Sequence, residues 1–246
     1  MARPLVRYYL VLFNLVSFLG WSYLLVLTLA HLFNIDGSSP STVPPRTAST
    51  ALSCFLSSLP LFNAWISPSF EARLHPALRP VYLRATTAYT RVGTPTAAVQ
   101  SLAVMEVLHV SLGWVRAPLP TTAAQVSSRL FLVWGIVEQF TDVRTNPLYT
   151  SMILSWSITE VIRYAFYALT LMGSEPRLLL WLRYTTFYIL YLTGASSEAL
   201  LIYATLPSSS PIPGWRSWIH GMWTPTDYAR GVLFTIWWPG ELCSPV

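Results

Sequence analysis

Long apolar stretches separated by shorter polar ones make up most of this chain. About 20 mostly apolar residues are needed to cross a bilayer as a helix, and six stretches approach or exceed that length. They are residues 8–33, 95–115, 120–140, 147–172, 178–206 and 226–240. This pattern predicts an all-α membrane helix bundle with about six transmembrane helices, organised as a single membrane-embedded domain over residues 1–246.

Residues 34–94 interrupt the pattern, because they are rich in Ser, Thr, Pro and Arg. We predict a poorly ordered connector there. Within it, residues 51–66 are apolar but contain Pro60 and Asn63. Three interpretations of this stretch stay open, namely a seventh span, a re-entrant or interfacial helix, and a loosely packed surface segment.

The composition also indicates a multi-pass membrane protein. Hydrophobic residues make up 53% of the chain and charged residues only 10%, whereas soluble domains carry about 25% charged residues. The cationic side chains are all Arg, and the absence of Lys excludes Schiff-base chemistry. Nucleic-acid binding is not expected, because the arginines form no clustered basic stripe. Cys54 and Cys243 form no CxxC motif and support no disulfide framework.

A phenol and a carboxyl group lie deep in the fifth apolar stretch. Tyr191 and Glu198 are seven residues apart, almost two helical turns, so both side chains leave the same helix face. A carboxylate inside a bilayer costs about 2.5–3.5 kcal/mol on insertion scales and usually marks function. Gly194 between them lets another helix or an acyl chain approach the backbone closely. The pair suggests proton transfer on a lipid-like substrate, although an interhelical Tyr–Glu hydrogen bond would leave the same pattern.

Other polar side chains recur at helical spacing within the apolar stretches. Ionisable groups inside a membrane usually face the bundle interior and pair with one another. These side chains therefore predict a structural polar network, with ion pairs among Glu106, Arg129, Glu160 and Arg163, a lining for a polar substrate head, or both. They are Glu106 and His109, Gln125 and Arg129, Glu160, Arg163 and Tyr164, and Arg183 and Tyr184.

These residues stand in ordered motifs that resemble those of a known family. The motifs are Tyr8 to Asn14 with Gly20-Trp21, Leu102 to His109 with Gly113, Gln125 to Arg129 with Trp134, Trp156 to Tyr167, and Arg183-Tyr184 through Ile202-Tyr203. Together they are similar to the very-long-chain (3R)-3-hydroxyacyl-CoA dehydratases, also called protein-tyrosine-phosphatase-like membrane proteins.

The resemblance implies a multi-pass lyase of the endoplasmic reticulum membrane. Such enzymes convert a 3-hydroxyacyl-CoA into a trans-2-enoyl-CoA, the third step of fatty-acid elongation, which also supplies precursors of sphingolipids. The family's active-site Tyr and Glu fall on Tyr191 and Glu198. No metal or separate cofactor is implied, since coenzyme A is part of the substrate. The implied partners are this substrate, membrane lipid and the other elongation enzymes.

Dehydration needs a base for the proton on C2 and an acid for the hydroxyl on C3. We expect Glu198 to be the base and Tyr191 the acid, and the reverse assignment stays open. Seven residues rise about 10.5 Å along a helix, whereas C2 and C3 are bonded neighbours. The side chains must therefore lean together, the helix must bend near Gly194, or a third group must relay the proton. Three arginines are either contacts for the CoA phosphates or ordinary topology signals. They are Arg116, Arg177 and Arg183.

One departure from the family and three alternative functions bear on this interpretation. Leu192 stands where the family usually has Pro, so the helix lacks the kink that Pro would cause. A catalytically inactive scaffold of the same fold is the main alternative. A phosphatase would need a thiolate where Val110 stands in the segment 109–116. A transporter would be expected to carry internal repeats, and the sequence has no such repeat.

Overall fold

The computed structural model describes residues 4–37, 74–174, 176–206 and 223–242. The elements of this part are helices, which confirms the all-α prediction for it. They are α1 Pro4–Phe33, α2 Arg79–Ala85, α3 Tyr89–Ser101, α4 Val104–Ser111, α5 Leu119–Leu130, α6 Thr141–Arg144, α7 Pro147–Leu171, α8 Arg177–Ala204 and α9 Pro225–Leu242. Directly after α5 the chain continues as a π-helical segment, Phe131–Val137. The apolar stretch at 51–66 lies outside the described residues.

Helix α7 is the centre of the bundle, because its most extensive contacts are with α1 and with α8. Its start is encoded locally. The Asn146 side chain accepts a hydrogen bond from the Leu148 N–H at 3.0 Å, and Pro147 occupies the first helical position, where its missing N–H costs nothing. The core around α7 consists of large buried apolar side chains, including Trp21, Leu24, Leu132, Ile136, Met152, Ile153, Leu201 and Ile202.

The prediction of six spans is not confirmed. Within the described residues, α1 alone is long and apolar enough to cross a bilayer; α8 is a second candidate if its parts Arg177–Thr186 and Tyr188–Ala204, which meet at a 47° bend, form one span. The stretch 95–115 is broken between α3 and α4. The outer face of α1 carries exposed apolar side chains suited to lipid contact, among them Leu5, Leu12, Val16, Leu19 and Val26.

The prediction of a poorly ordered connector over 34–94 is wrong for residues 79–94, which form α2 and the start of α3. Their polar composition suggested exposure to water, but Thr86 and Thr87 are buried. The Thr87 hydroxyl lies 3.0 Å from Nε2 of His31, itself buried in α1. Threonine hydroxyls that are hydrogen-bonded inside the bundle remove the usual penalty for burying a polar group, so a polar segment packs as helix.

Arg144 ties the end of the π-helical segment to the bundle. It donates to the carbonyl oxygens of Val137 at 3.0 Å and Glu138 at 2.6 Å, and its guanidinium lies 4.6 Å from the Tyr89 ring centroid. The Tyr89 hydroxyl in turn donates to the Glu138 carboxylate at 2.8 Å. This cluster satisfies the carbonyl groups that a helix end leaves without intrahelical partners.

We predict that Arg144→Met lowers the free energy of unfolding by about 1–3 kcal/mol, because two partly buried carbonyl oxygens lose their donor. Denaturant unfolding of the purified protein in detergent measures this change. Arg116→Met is the matched control, since Arg116 is exposed, and it should change stability by no more than about 0.5 kcal/mol. Equal stability of the two variants would contradict the capping role of Arg144.

Candidate active site

Glu198 lies on the face of α8 that packs against α7, and the helical spacing places Tyr191 on the same face of α8. Glu198 is 6% exposed, Gly194 is buried, and the hydroxyl oxygen of Tyr191 is enclosed by protein. Helix α8 runs as one segment from Tyr188 to Ala204, so its bend comes before both residues. A bend at Gly194, one of the three ways to bring the side chains together, is therefore not present.

The Glu198 carboxyl group is held by a tryptophan of α7. The indole Nε1–H of Trp156 donates to Oε1 of Glu198 at 2.6 Å, and Trp156 is 3% exposed. The Arg129 guanidinium lies 5.2 Å from the Trp156 ring centroid and attracts the Glu198 carboxylate electrostatically. Trp156 is not among the site residues predicted from the sequence; its position four residues before Glu160, on the same helix face, was the available signal.

A buried ion-pair network continues from Arg129. Glu160, which is 2% exposed, accepts hydrogen bonds from Arg129 and, at 2.7 Å, from Nε of Arg163. Arg163 also donates to both carboxylate oxygens of Glu106, at 2.7 and 3.2 Å, and the Tyr164 hydroxyl donates to the same carboxylate. The network joins α4, α5 and α7, which confirms the prediction that these side chains pair with one another. A role in lining a substrate site stays a prediction.

His109 of α4 packs among aromatic side chains. It is 3% exposed, and its Nε2 lies 3.1 Å from the Tyr9 hydroxyl of α1. Its ring stacks on Trp114, with centroids 5.8 Å apart and planes 16° from parallel. His109 therefore anchors α4 to α1, one turn of helix from Glu106.

The other predicted site residues lie further out. Gln125 is exposed on α5, and Tyr184 is 55% exposed on α8. The Arg183 guanidinium lies 5.7 Å from the ring centroids of Phe166 and Tyr167, a geometry typical of a cation–π contact. The structure thus places Gln125 and Tyr184 at the outer surface of their helices, whereas Arg183 is half-buried and connects the start of α8 to the end of α7.

Gly194 lies where α8 packs against Ser155 of α7. A methyl group at this position would lie 3.5 Å from Cβ of Ser155, and the hydroxyls of Ser155 and Thr193 lie 3.0 Å apart beside it. Helix α7 therefore leaves room for a methyl group at this position but not for a large side chain, as is common where small residues line a helix pair in a membrane.

Substitutions at Gly194 test this packing. Gly194→Ala should retain the parent's stability or gain up to about 1 kcal/mol from helix propensity, because 3.5 Å is an ordinary contact distance. Gly194→Leu should lose about 1–3 kcal/mol, because the larger side chain forces the helices apart. Unfolding of both variants in detergent gives the two values. A Leu variant as stable as the parent would show that α7 is not packed closely here.

The sequence of this chain matches a known protein family. The family model described as "Protein tyrosine phosphatase-like protein, PTPLA" matches residues 100–243, more than half of the chain. The chain belongs to the PTPLA family. The PTPLA match begins at the end of α3 and contains the whole ion-pair network and the Tyr191–Glu198 face.

Similar PTPLA proteins carry dehydratase names. The very-long-chain (3R)-3-hydroxyacyl-CoA dehydratase hpo-8 of Caenorhabditis elegans is 34% identical over 202 residues, which cover 82% of this chain and 71% of that protein. The very-long-chain (3R)-3-hydroxyacyl-CoA dehydratase PASTICCINO 2B of Oryza sativa subsp. japonica is 48% identical over 120 residues, 48% of this chain and 54% of its own. Dehydratase 2 of Homo sapiens is 39% identical over 119 residues, 48% of this chain and 47% of its own. The chain thus spans about half the length of the rice and human relatives, and no solved structure matches it.

The PTPLA description contains the word phosphatase, but residues 109–116 lack the nucleophile of a cysteine phosphatase. Val110 occupies the position that a nucleophilic cysteine would need, and it lies within α4. After α4 the chain turns through Gly113, which has a φ of 69°. Without a thiolate the segment cannot form a phosphocysteine intermediate.

Proposed function

We propose that this chain dehydrates long-chain or very-long-chain (3R)-3-hydroxyacyl-CoA to trans-2-enoyl-CoA. The observation that carries the proposal is the buried Glu198 carboxyl group, oriented by the Trp156 N–H at 2.6 Å on the face that Tyr191 shares. A carboxyl group on the inner face of an apolar helix is typical of functional sites in membranes. The dehydratase names of the PTPLA relatives support the same chemistry.

In the proposed reaction, Glu198 takes the proton from C2 of the substrate. The electron pair of the C2–H bond forms the C2=C3 double bond while the C3–O bond breaks. Tyr191 gives its proton to the departing hydroxyl group, which leaves as water, and a proton returns from Glu198 to Tyr191 before the next turnover. General acid–base groups placed in this way typically contribute about 10²–10⁴-fold to the rate.

The separation of Tyr191 and Glu198 along α8, about 10.5 Å for seven residues of straight helix, requires a further group. The Ser155 and Thr193 hydroxyls, 3.0 Å apart, belong to the stretch of the α7–α8 interface between these two residues. We therefore propose that the Tyr191 proton reaches the departing hydroxyl group through this hydroxyl pair or through a water bound by it. Hydroxyl groups suit a relay because each can donate and accept a hydrogen bond.

The substrate is amphiphilic, and this determines how it would bind. The acyl chain would lie along apolar helix faces, and the CoA phosphates would remain in water, where charge-assisted hydrogen bonds from arginine are strong. Arg116 and Arg177 are exposed and are the candidates, together with Arg183, to bind these phosphates. Coenzyme A is then part of the substrate, and no separate cofactor takes part in the proposed reaction.

In the cell, the proposed reaction would be the third step of fatty-acid elongation in the endoplasmic reticulum membrane, with the other elongation enzymes as partners. The direct test uses the purified chain in lipid nanodiscs with (3R)- and (3S)-3-hydroxyacyl-CoA of several chain lengths. We expect trans-2-enoyl-CoA from the (3R) substrates, detected by mass spectrometry. No product at any chain length from folded protein would contradict the proposed function.

Tyr191→Phe should lower kcat by about 100-fold, the lower end of the range for a positioned acid or base. The substitution removes only the phenol oxygen, so the packing of α8 should be retained. Tyr188→Phe is the matched control on the same helix, since Tyr188 is 77% exposed, and it should keep the parent's kcat. Equal turnover by the two variants would remove Tyr191 from the mechanism.

A further inference from the structure

We infer that Trp156 is a positioning residue for Glu198, whose indole N–H holds the carboxyl group in the orientation that takes the C2 proton. The inference rests on the proposed function. The contact is short, at 2.6 Å between Nε1 and Oε1, and both residues are buried, at 3% and 6% exposure. The indole N–H can only donate, so the contribution of Trp156 is orientation rather than proton transfer.

Trp156 is itself fixed by contacts on several sides. The Arg129 guanidinium covers its ring at 5.2 Å, and the Trp21 ring of α1 meets it edge to face, with centroids 6.4 Å apart and planes at 75°. Arg129 is in turn held by Glu160, one turn further along α7 than Trp156. A side chain enclosed in this way cannot change rotamer without breaking the network, and it therefore presents its N–H in one direction.

A glutamate base needs such a partner because its side chain is long. Three rotatable bonds separate the carboxyl group from the α8 backbone, whereas catalytic groups must be held within about 0.5 Å of their productive geometry. Trp156 fixes the carboxyl group from the neighbouring helix, α7. The network around Glu160 thus reaches the proposed base through two contacts, Arg129 on the Trp156 ring and the Trp156 N–H on Glu198.

Trp156→Phe tests this inference. Phe keeps an aromatic ring but removes the N–H, and losing one hydrogen bond to a charged group should lower kcat about 10- to 100-fold. KM should change no more than about threefold, because substrate binding is not altered. Trp134→Phe is the matched control, since it removes an indole N–H that donates to Ser101 at 3.2 Å outside the proposed site, and its kcat should stay within about twofold of the parent's.

A second variant separates the N–H from the volume of the ring. Replacing Trp156 with β-(3-benzothienyl)alanine keeps the shape of the side chain and exchanges only the N–H for sulfur. We expect this variant to remain folded and to show the same fall in kcat as Trp156→Phe. Parent-like turnover by the isosteric variant would overturn the inference even if the Phe variant failed to fold.

A double-mutant cycle then tests whether Trp156 acts through Glu198. In the Glu198→Gln background, Trp156→Phe should lower the residual kcat by no more than about twofold, because groups that act as one unit are not additive. Full, multiplicative losses would instead overturn the inference. No turnover by the parent protein would overturn the proposed function and this inference with it, whereas an active parent with an equally active isosteric variant overturns the inference alone.

Discussion

Glu198→Gln should lower kcat by at least about 100-fold and leave the protein folded. The amide has the size of the carboxyl group and still offers an oxygen to the Trp156 N–H, a contact of 2.6 Å in the parent. It cannot, however, take the proton from C2. Loss of a positioned base typically costs about 10²–10⁴-fold in rate, and the upper part of this range is expected because the buried site at 6% exposure offers little water as a substitute base.

The measurement is steady-state formation of trans-2-enoyl-CoA in nanodiscs, with unfolding curves for each variant. Glu138→Gln is the matched control, because Glu138 is a partly buried carboxylate bound to Tyr89 and Arg144 outside the proposed site. It should keep the parent's kcat within about twofold. If the Glu198→Gln variant folded and kept the parent's turnover, another residue would have to be the base and the proposed mechanism would be wrong.

Glu160→Gln should be the most destabilising of the substitutions considered. Glu160 lies between Arg129 and Arg163, and making it neutral leaves two guanidinium groups without their shared anion. Breaking a buried ion pair from one side typically costs about 3–5 kcal/mol. We expect about 3 kcal/mol, the lower end of that range, because the two arginine side chains are 30% and 28% exposed and water can reach part of each.

Unfolding of the purified variant by denaturant in detergent measures this loss. Asp36→Asn is the control, since it removes the carboxylate of the exposed Arg91–Asp36 pair, where the side chains are 27% and 36% exposed. Exposed pairs contribute only about 0–1 kcal/mol, so the two variants should differ clearly. If both lost the same small amount, the network would be too well hydrated to hold α4, α5 and α7 together.

The helices could be located from the sequence because apolar periodicity is a local property. The stretches at 147–172 and 178–206 correspond to α7 Pro147–Leu171 and α8 Arg177–Ala204. The spacing of Tyr191, Gly194 and Glu198 also predicted one shared face, on which Gly194 and Glu198 are buried and Tyr191 is half-buried. The family could be read from ordered motifs in the same way. The number of spans could not, because a polar side chain in a helix looks the same in the sequence whether it meets lipid, water or another helix.

The amino-acid composition led to a wrong prediction where hydrogen bonds between distant segments stabilise a helix. Residues 79–94 look like a solvated connector, yet they pack as helix because threonine hydroxyls such as that of Thr87 find partners inside the bundle. Such partners come from segments distant in the chain, His31 in this case. Local polarity therefore predicts exposure only when no buried partner exists.

The sequence alone determined the helical class, the family motifs and the candidate acid–base pair, because each depends on residues close together in the chain. Only the tertiary structure decided how these groups meet. Trp156 and Glu198 are 42 positions apart, Arg129 and Glu160 are 31 apart, and Glu106 and Arg163 are 57 apart. Such contacts depend on how each helix is rotated and crossed against its neighbours, and that arrangement results from packing over the whole bundle.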